Sequence, residues 1–297
     1  MIKTGNLQRF LSDYRWVLNA IFGAYNGILA IFIYRKFSDS LNKIEHLIDS
    51  DDVKEVKDKL LDRLTSKYYW MVVIFWLFIY STIFIEDIQR ITIGSFYNEL
   101  HLVSLYWFIE SLPCILLIGM FQFMLLPGLN LAYRDLCFRT SFKKDLLLTE
   151  WAEPFNGFKN LITIIMFGAA VYTVFPPTIY GMVSESPTTI ASILSAIPYV
   201  GPTIILLSAV LFPHYYFHKL FSESKKNYLN HFRVEISKIS PSGGAEDLIR
   251  RINLLLDKGE VEKKKTWLID IKILGEILIV ALMHVILVEA VTTLIHG

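Results

Sequence analysis

Apolar residues in this chain come in long unbroken blocks separated by charged stretches. Windows of about 20 residues, enough to cross a bilayer core about 30 Å thick, occur at 16–34, 68–86, 102–126, 161–180, 191–213 and 273–295. Runs such as Met71–Phe78 and Ile277–Met283 do not alternate between apolar and polar positions, as membrane barrel strands would. The pattern predicts an all-α integral membrane protein: one membrane domain over residues 1–297, with six transmembrane helices.

A second, shorter period runs through two of the charged stretches. In 35–67 apolar residues recur at Phe37, Leu41, Ile44 and Ile48, and after "DSDD" at Val53, Val56, Leu60 and Leu64. In 216–266 they recur at Leu220, Phe221, Tyr228, Phe232, Ile236 and Ile239, and after "SPSGG" at Leu248, Ile252, Leu255 and Leu256. Spacings of three and four place each set on one helix face, and Pro241, Gly243 and Gly244 break the second pair. Each stretch therefore predicts a helical hairpin continuous with the membrane helices beside it, and the two hairpins predict a compact bundle.

Charge distribution sets the orientation. Of 29 Lys and Arg, 8 fall in 35–67, 5 in 127–160 and 12 in 216–272, with 1 in 87–101 and none in 181–190 or after Lys272. The positive-inside bias puts the three rich segments in the cytoplasm, as hairpin, loop and hairpin. Six crossings then place both termini outside, against the preference of Lys3, Arg9 and Arg15. The alternative is that the first segment enters and returns without spanning, through its "NAIFGAYNG" centre. The first apolar run is as long as a span and continues into "YRKF", so it reads as a retained helix and not as a cleaved leader.

Composition narrows the function classes. The chain is 54% hydrophobic and 14% aromatic, above the range of ordinary soluble domains, and its net charge of +1 predicts no nucleic-acid partner. Cys114 and Cys137 fall within a span and in a cytoplasmic loop, so no structural disulfide is expected. There is no phosphate-binding G-x-x-x-x-G-K-[ST], no H-E-x-x-H and no G-x-S-x-G. The expectation is a protein that is not an enzyme, with no catalytic residue, cofactor or metal. "HYYFH" sets His214 and His218 one helical turn apart at the inner end of the fifth span; beside three aromatics they read as interfacial anchors rather than metal ligands.

"RINLLLDKGEVEKKKTWLIDIKIL" resembles the juxtamembrane tail of certain uncharacterised prokaryotic membrane proteins. Their tail reads tryptophan-proline-phenylalanine-aspartate, whereas Trp267-Leu268-Ile269-Asp270 lacks the proline and the phenylalanine. The resemblance implies no activity. It implies a recurring module in which a helix pair feeds a Trp-to-Asp segment leading into the last membrane helix.

Polar residues inside the spans are the remaining candidates. At about 1.5 Å per residue, Glu110 lies roughly 12 Å, Glu289 roughly 9 Å, His284 roughly 16 Å, Asn19 roughly 5 Å and Asn26 roughly 15 Å below the outer boundary. Helix breakers share that layer: Pro176 and Pro177, then Pro198, Gly201 and Pro202. An intramembrane carboxylate is costly unless neutralised, paired or hydrated, so Glu110 and Glu289 point to a cation path. The plainer alternative is a protonated Glu hydrogen-bonded between helices, and for Asn19, Gly23, Asn26 and Gly27 a small-residue packing seam. The resulting expectation is a membrane channel or transporter for a small cation, self-associating in the lipid bilayer. Its rivals are a non-conducting sensor or scaffold whose hairpins bind a partner, and a membrane enzyme acting on lipid.

Overall fold

The structure is a computed structural model that describes residues 15–78, 81, 109, 112–143, 153–165, 189–240, 243–264, 266, 267 and 275, with the side chains of 15–19, 22, 125, 126 and 189–207 left aside. Among the described residues the fold is all-α, with one isolated antiparallel bridge between Ile48 and Phe142. The helices are α1 (Arg15–Ile44), α2 (Val53–Leu64), α3 (69–78), α4 (112–123), α5 (Leu129–Arg139), α6 (156–165), α7 (Thr189–Lys238) and α8 (Ala245–Lys263). Among the described residues no helix is long and apolar enough to cross a membrane. Of the expected spans, 16–34 and 191–213 lie within α1 and α7, and parts of 68–86, 102–126 and 161–180 are helical, whereas most of 79–111, all of 166–188 and nearly all of 268–297 lie outside the described residues.

The first hairpin forms as its periodicity dictates. One helix of 30 residues runs through "NAIFGAYNG" without a break, so the segment does not turn back on itself. A short 3-10 turn (Glu45–Leu47) follows, and Asp52 then caps α2 by accepting from the Glu55 backbone N–H at 2.9 Å, which satisfies one of the donors a helix start leaves open. Phe37, Leu41, Ile44, Leu60 and Leu64 are all buried.

The stretch 127–160, expected as a loop, is largely helical where it is described, over 127–139 and 156–160. Ala132, Tyr133 and Leu136 are buried on one face of α5, and Phe155, Phe158, Leu161, Ile162 and Ile165 are buried in or beside α6. The charges that made the stretch look loop-like, Arg134, Arg139 and Lys159, occupy the partly or fully exposed sides of these helices. Pro127 does not end the helix before it. Its ring would crowd the Phe123 carbonyl in a regular helix. The chain instead makes a π turn over Met124–Gly128, closed by the Leu129 N–H donating to the Met124 carbonyl. Gly128 sits inside that turn, where a Cβ would lie 3.1 Å from the Phe123 carbonyl oxygen and 3.3 Å from that of Arg63.

Aromatic rings from four helices lock the core. Tyr133 of α5 meets Phe37 of α1 at 5.4 Å, Phe158 of α6 at 5.7 Å and Phe217 of α7 at 5.5 Å, all edge to face. Phe155 meets Phe221 at 5.3 Å in the same geometry. Such pairs add roughly 0.5–1.5 kcal/mol each beyond the area they bury.

Farther along, α4 lies between α1 and α3 at small-residue contacts. A Cβ on Gly23 would stand 2.8 Å from Cys114 Sγ, one on Gly27 3.1 Å from Leu117 Cδ2, and one on Gly119 2.6 Å from Val73 Cγ2. The seam of Gly23, Asn26 and Gly27 is therefore filled by this chain's own α4. Trp76 Nε1 donates to Gln122 Oε1 across the α3–α4 contact.

Two expectations are corrected in the second half. α7 is one helix of 50 residues, so Pro198, Gly201 and Pro202 lie within it and do not separate two helices. A proline forfeits one intrahelical bond and bends the helix without ending it; here Pro202 withholds its bond from the carbonyl of Pro198 itself. The second hairpin, α7–α8, packs along its length, but Leu248, Ile252, Leu255 and Leu256 face outward, at 59%, 47%, 47% and 63% exposed. That apolar stripe does not join the core.

Candidate functional site

Asn26, on α1, is fully buried between the glycines of the seam. Asn19 lies in the first turns of the same helix. Glu110, Glu289 and His284, with Pro176 and Pro177, lie outside the described residues. Of the expected cation path the structure thus describes Asn26, in a tight helix interface, and the backbone of Asn19 two turns earlier on the same helix. Among the described residues no group of three or more His, Cys, Asp or Glu could hold a metal ion.

Two polar clusters that sequence reasoning missed, or read differently, stand out. The first surrounds Asp135 on α5, which is 9% exposed at its side chain. Arg63 Nε, from the end of α2, donates to its Oδ2 at 2.9 Å. Arg134 Nη2 and Arg139 Nε reach its Oδ1 at 3.2 and 3.4 Å. A near-buried carboxylate is costly unless paired and hydrogen-bonded; three guanidinium groups on one carboxylate satisfy it and leave net positive charge. The signal in the sequence is "YRDLCFR", where Asp135 and Arg139 are four apart on one helix face.

The second cluster is His214, His218 and Trp267. The indole of Trp267 stacks on His218 with ring centroids 3.8 Å apart and an interplanar angle of 10°, and on His214 at 4.8 Å. His214 is 1% exposed, and neither of its ring nitrogens has a hydrogen-bond partner among the described residues. Burial first, and the neighbouring His218 second, hold its pKa down from 6.5 to about 4, so the ring is neutral near pH 7. Lys225 fixes the approach of the chain after α8 by donating to the carbonyls of Glu262 at 2.7 Å and Lys264 at 3.0 Å. The histidines are thus stacking partners of the tail tryptophan.

Burial likewise pushes the Tyr133 phenol and the Cys137 thiol well above their ordinary values. Both are neutral, which suits packing rather than nucleophilic chemistry. No known protein family, curated protein or solved structure matches this chain.

Proposed function

We propose that the chain is a self-associating integral membrane protein that conducts or transports a small cation, with its hairpin helices on the cytoplasmic side. The observation that carries the membrane reading is the distribution of exposed apolar side chains. Ile21, Ile28 and Ile31 on α1, Met71, Ile74, Phe75 and Phe78 on α3, Ile109 and Leu116 around α4, and Leu211 and Phe212 on α7 are all at least 40% exposed. Farther along, α1 instead exposes Arg35, Lys36 and Asp39. Water does not tolerate an apolar surface of that extent, whereas hydrocarbon solvates it at no cost. Glycine contacts between α1, α3 and α4 are the close backbone approach by which helices associate in lipid.

The cation reading rests on Glu110 and Glu289, ionisable groups within apolar blocks where charge is kept only for a purpose. The test is flux in liposomes under a salt gradient. A reversal potential on the cation side that collapses with Glu110→Gln and Glu289→Gln is expected. A potential on the anion side, or no change in either variant, refutes the cation reading. A non-conducting sensor or scaffold is the second reading, favoured by the outward apolar stripe of α8; it predicts no flux at all.

A further inference from the structure

An open cavity of about 770 Å³ lies where α2 ends, α3 begins and α5 finishes. Its basic lining is Lys59, Arg63, Lys67 and Arg139, against two carboxylates, Asp62 and Asp135; Lys59 is also paired with Glu55, one turn earlier on α2, at 2.5 Å. Thr65, Ser66 and Thr140 add hydroxyls. Asp135 is already saturated by arginines, and Arg63 and Arg139 engage it through Nε. Their terminal nitrogens, two on each guanidinium, make no hydrogen bond among the described residues, and Lys67 has no ion-pair partner there. Fixed guanidinium forks with spare donors, a free ammonium and hydroxyls are the groups that recognise phosphate oxygens.

Position narrows the ligand further. Lys67 lies in the turn just before α3, its carbonyl accepting from the Trp70 N–H, and Tyr68, Trp70, Met71 and Ile74 are 59%, 48%, 68% and 62% exposed. A basic cavity directly below an outward row of tyrosine, tryptophan and aliphatic side chains has the layout of a headgroup level, with rings at the interface and acyl-facing residues beyond.

We infer that this cavity binds a phosphate-bearing anion, held by Arg63, Arg139, Lys59 and Lys67. The ligand is either the headgroup of an anionic phospholipid or a soluble phosphate compound. The lipid source rests on the proposed membrane location, whereas the phosphate chemistry does not.

The test uses the full chain purified in detergent. Its melting temperature is followed with inorganic phosphate against chloride at equal ionic strength, and with phosphatidylglycerol against phosphatidylcholine in mixed micelles. The double variant Lys59→Ala with Lys67→Ala removes two cations without touching the Asp135 cluster. Lys238→Ala with Lys263→Ala serves as a control that removes two exposed lysines of α7 and α8. A rise in melting temperature with either anion is expected, and the first variant should bind it roughly tenfold more weakly, the factor that one charge-assisted hydrogen bond supplies. The control should bind as the parent does. A rise with phosphatidylglycerol alone assigns the headgroup, and a rise with phosphate, alone or also, assigns the shared chemistry. No rise with either anion overturns the inference, as does equal weakening in the control variant. Extraction of the expressed protein from membranes at alkaline pH tests the membrane reading separately: release with the soluble fraction would sink that reading and leave the phosphate arm standing.

Discussion

The two helical hairpins look alike as sequences and differ as structures. α1–α2 and α7–α8 both carry apolar residues at intervals of three and four on either side of a turn. In the first, Leu60 and Leu64 of the returning helix are 3% and 1% exposed; in the second, the corresponding stripe of α8 is about half or more exposed and Val261 alone is buried. Periodicity tells which residues share a face. It does not tell whether anything in the same chain covers that face. α2 has α5 and the π turn to lie on, while among the described residues α8 packs chiefly on α7, which turns its larger rings, Phe217 and Phe221, toward the aromatic core.

The largest effect that would sharpen this contrast is truncation of the two stripes. Leu60→Ala and Leu64→Ala should each destabilise the purified protein by about 2–5 kcal/mol, whereas Ile252→Ala and Leu255→Ala should fall within about 0.5 kcal/mol of the parent. Equal losses on both sides in thermal unfolding would show that the α8 stripe is covered in solution and that the contrast belongs to the isolated chain only.

Next in size is the pH response of the second hairpin. His214 is neutral in the folded state down to about pH 4, while in the unfolded chain it takes up a proton below about 6.5. Unfolding therefore gains protons as pH falls, so this contribution is complete above pH 6.5 and is lost progressively down to pH 4. It amounts to at most about 3 kcal/mol. His214→Leu should flatten the melting temperature across that interval. An unchanged slope in the variant would remove His214 as the cause.

Glycines give a smaller and opposite pair of effects. At Gly157, beside the first hairpin, a Cβ would lie 2.6 Å from Ser40 Oγ and 3.0 Å from Ser40 Cβ. Gly157→Ala should cost roughly 1–2 kcal/mol after the gain in helix propensity is counted. At Gly259, within α8, a Cβ meets nothing within 4 Å, and Gly259→Ala should stabilise by about 0.5–1 kcal/mol. A destabilising Gly259→Ala would again mean that α8 is covered. The smallest effect concerns the turns: Asp52 caps α2, whereas Gly244 precedes α8 with no side-chain cap and open space around it. Gly244→Ser should add a few tenths of a kcal/mol, and its absence in unfolding curves would place the start of α8 elsewhere.

What the sequence disclosed follows the same logic. The helical class, both hairpins and the turn at "DSDD" were readable because they depend on local spacing and capping. The glycine seam of α1 was readable as a seam, but its partner was not, because Cys114 and Leu117 are distant in sequence and carry no complementary mark. α5 and the first turn of α6 are hidden because the charges of 127–160 mask the spacing of Leu129, Ala132, Tyr133 and Leu136; the second half of α6 falls within the expected span 161–180. Trp267 carries the resemblance to another tail; the 216–266 hairpin returns the chain toward His214 and His218, but no local pattern marks the stacking of the three rings.

The π turn at Met124–Gly128 joins two helices that would otherwise be a single rod, and it inserts one residue into the count. Before it, α4 presents Ile115, Ile118 and Phe121 inward; after it, α5 presents Leu129, Ala132, Tyr133 and Leu136. The extra residue rotates the second set by about 100° relative to a continuous helix. The same piece of chain thus keeps both sets in one core: Ile118 and Phe121 before the turn and Leu129, Ala132, Tyr133 and Leu136 after it belong to a single buried cluster. In mechanical terms the turn is a universal joint frozen at one setting, and Gly128 is the clearance that lets the end of α2 sit against it.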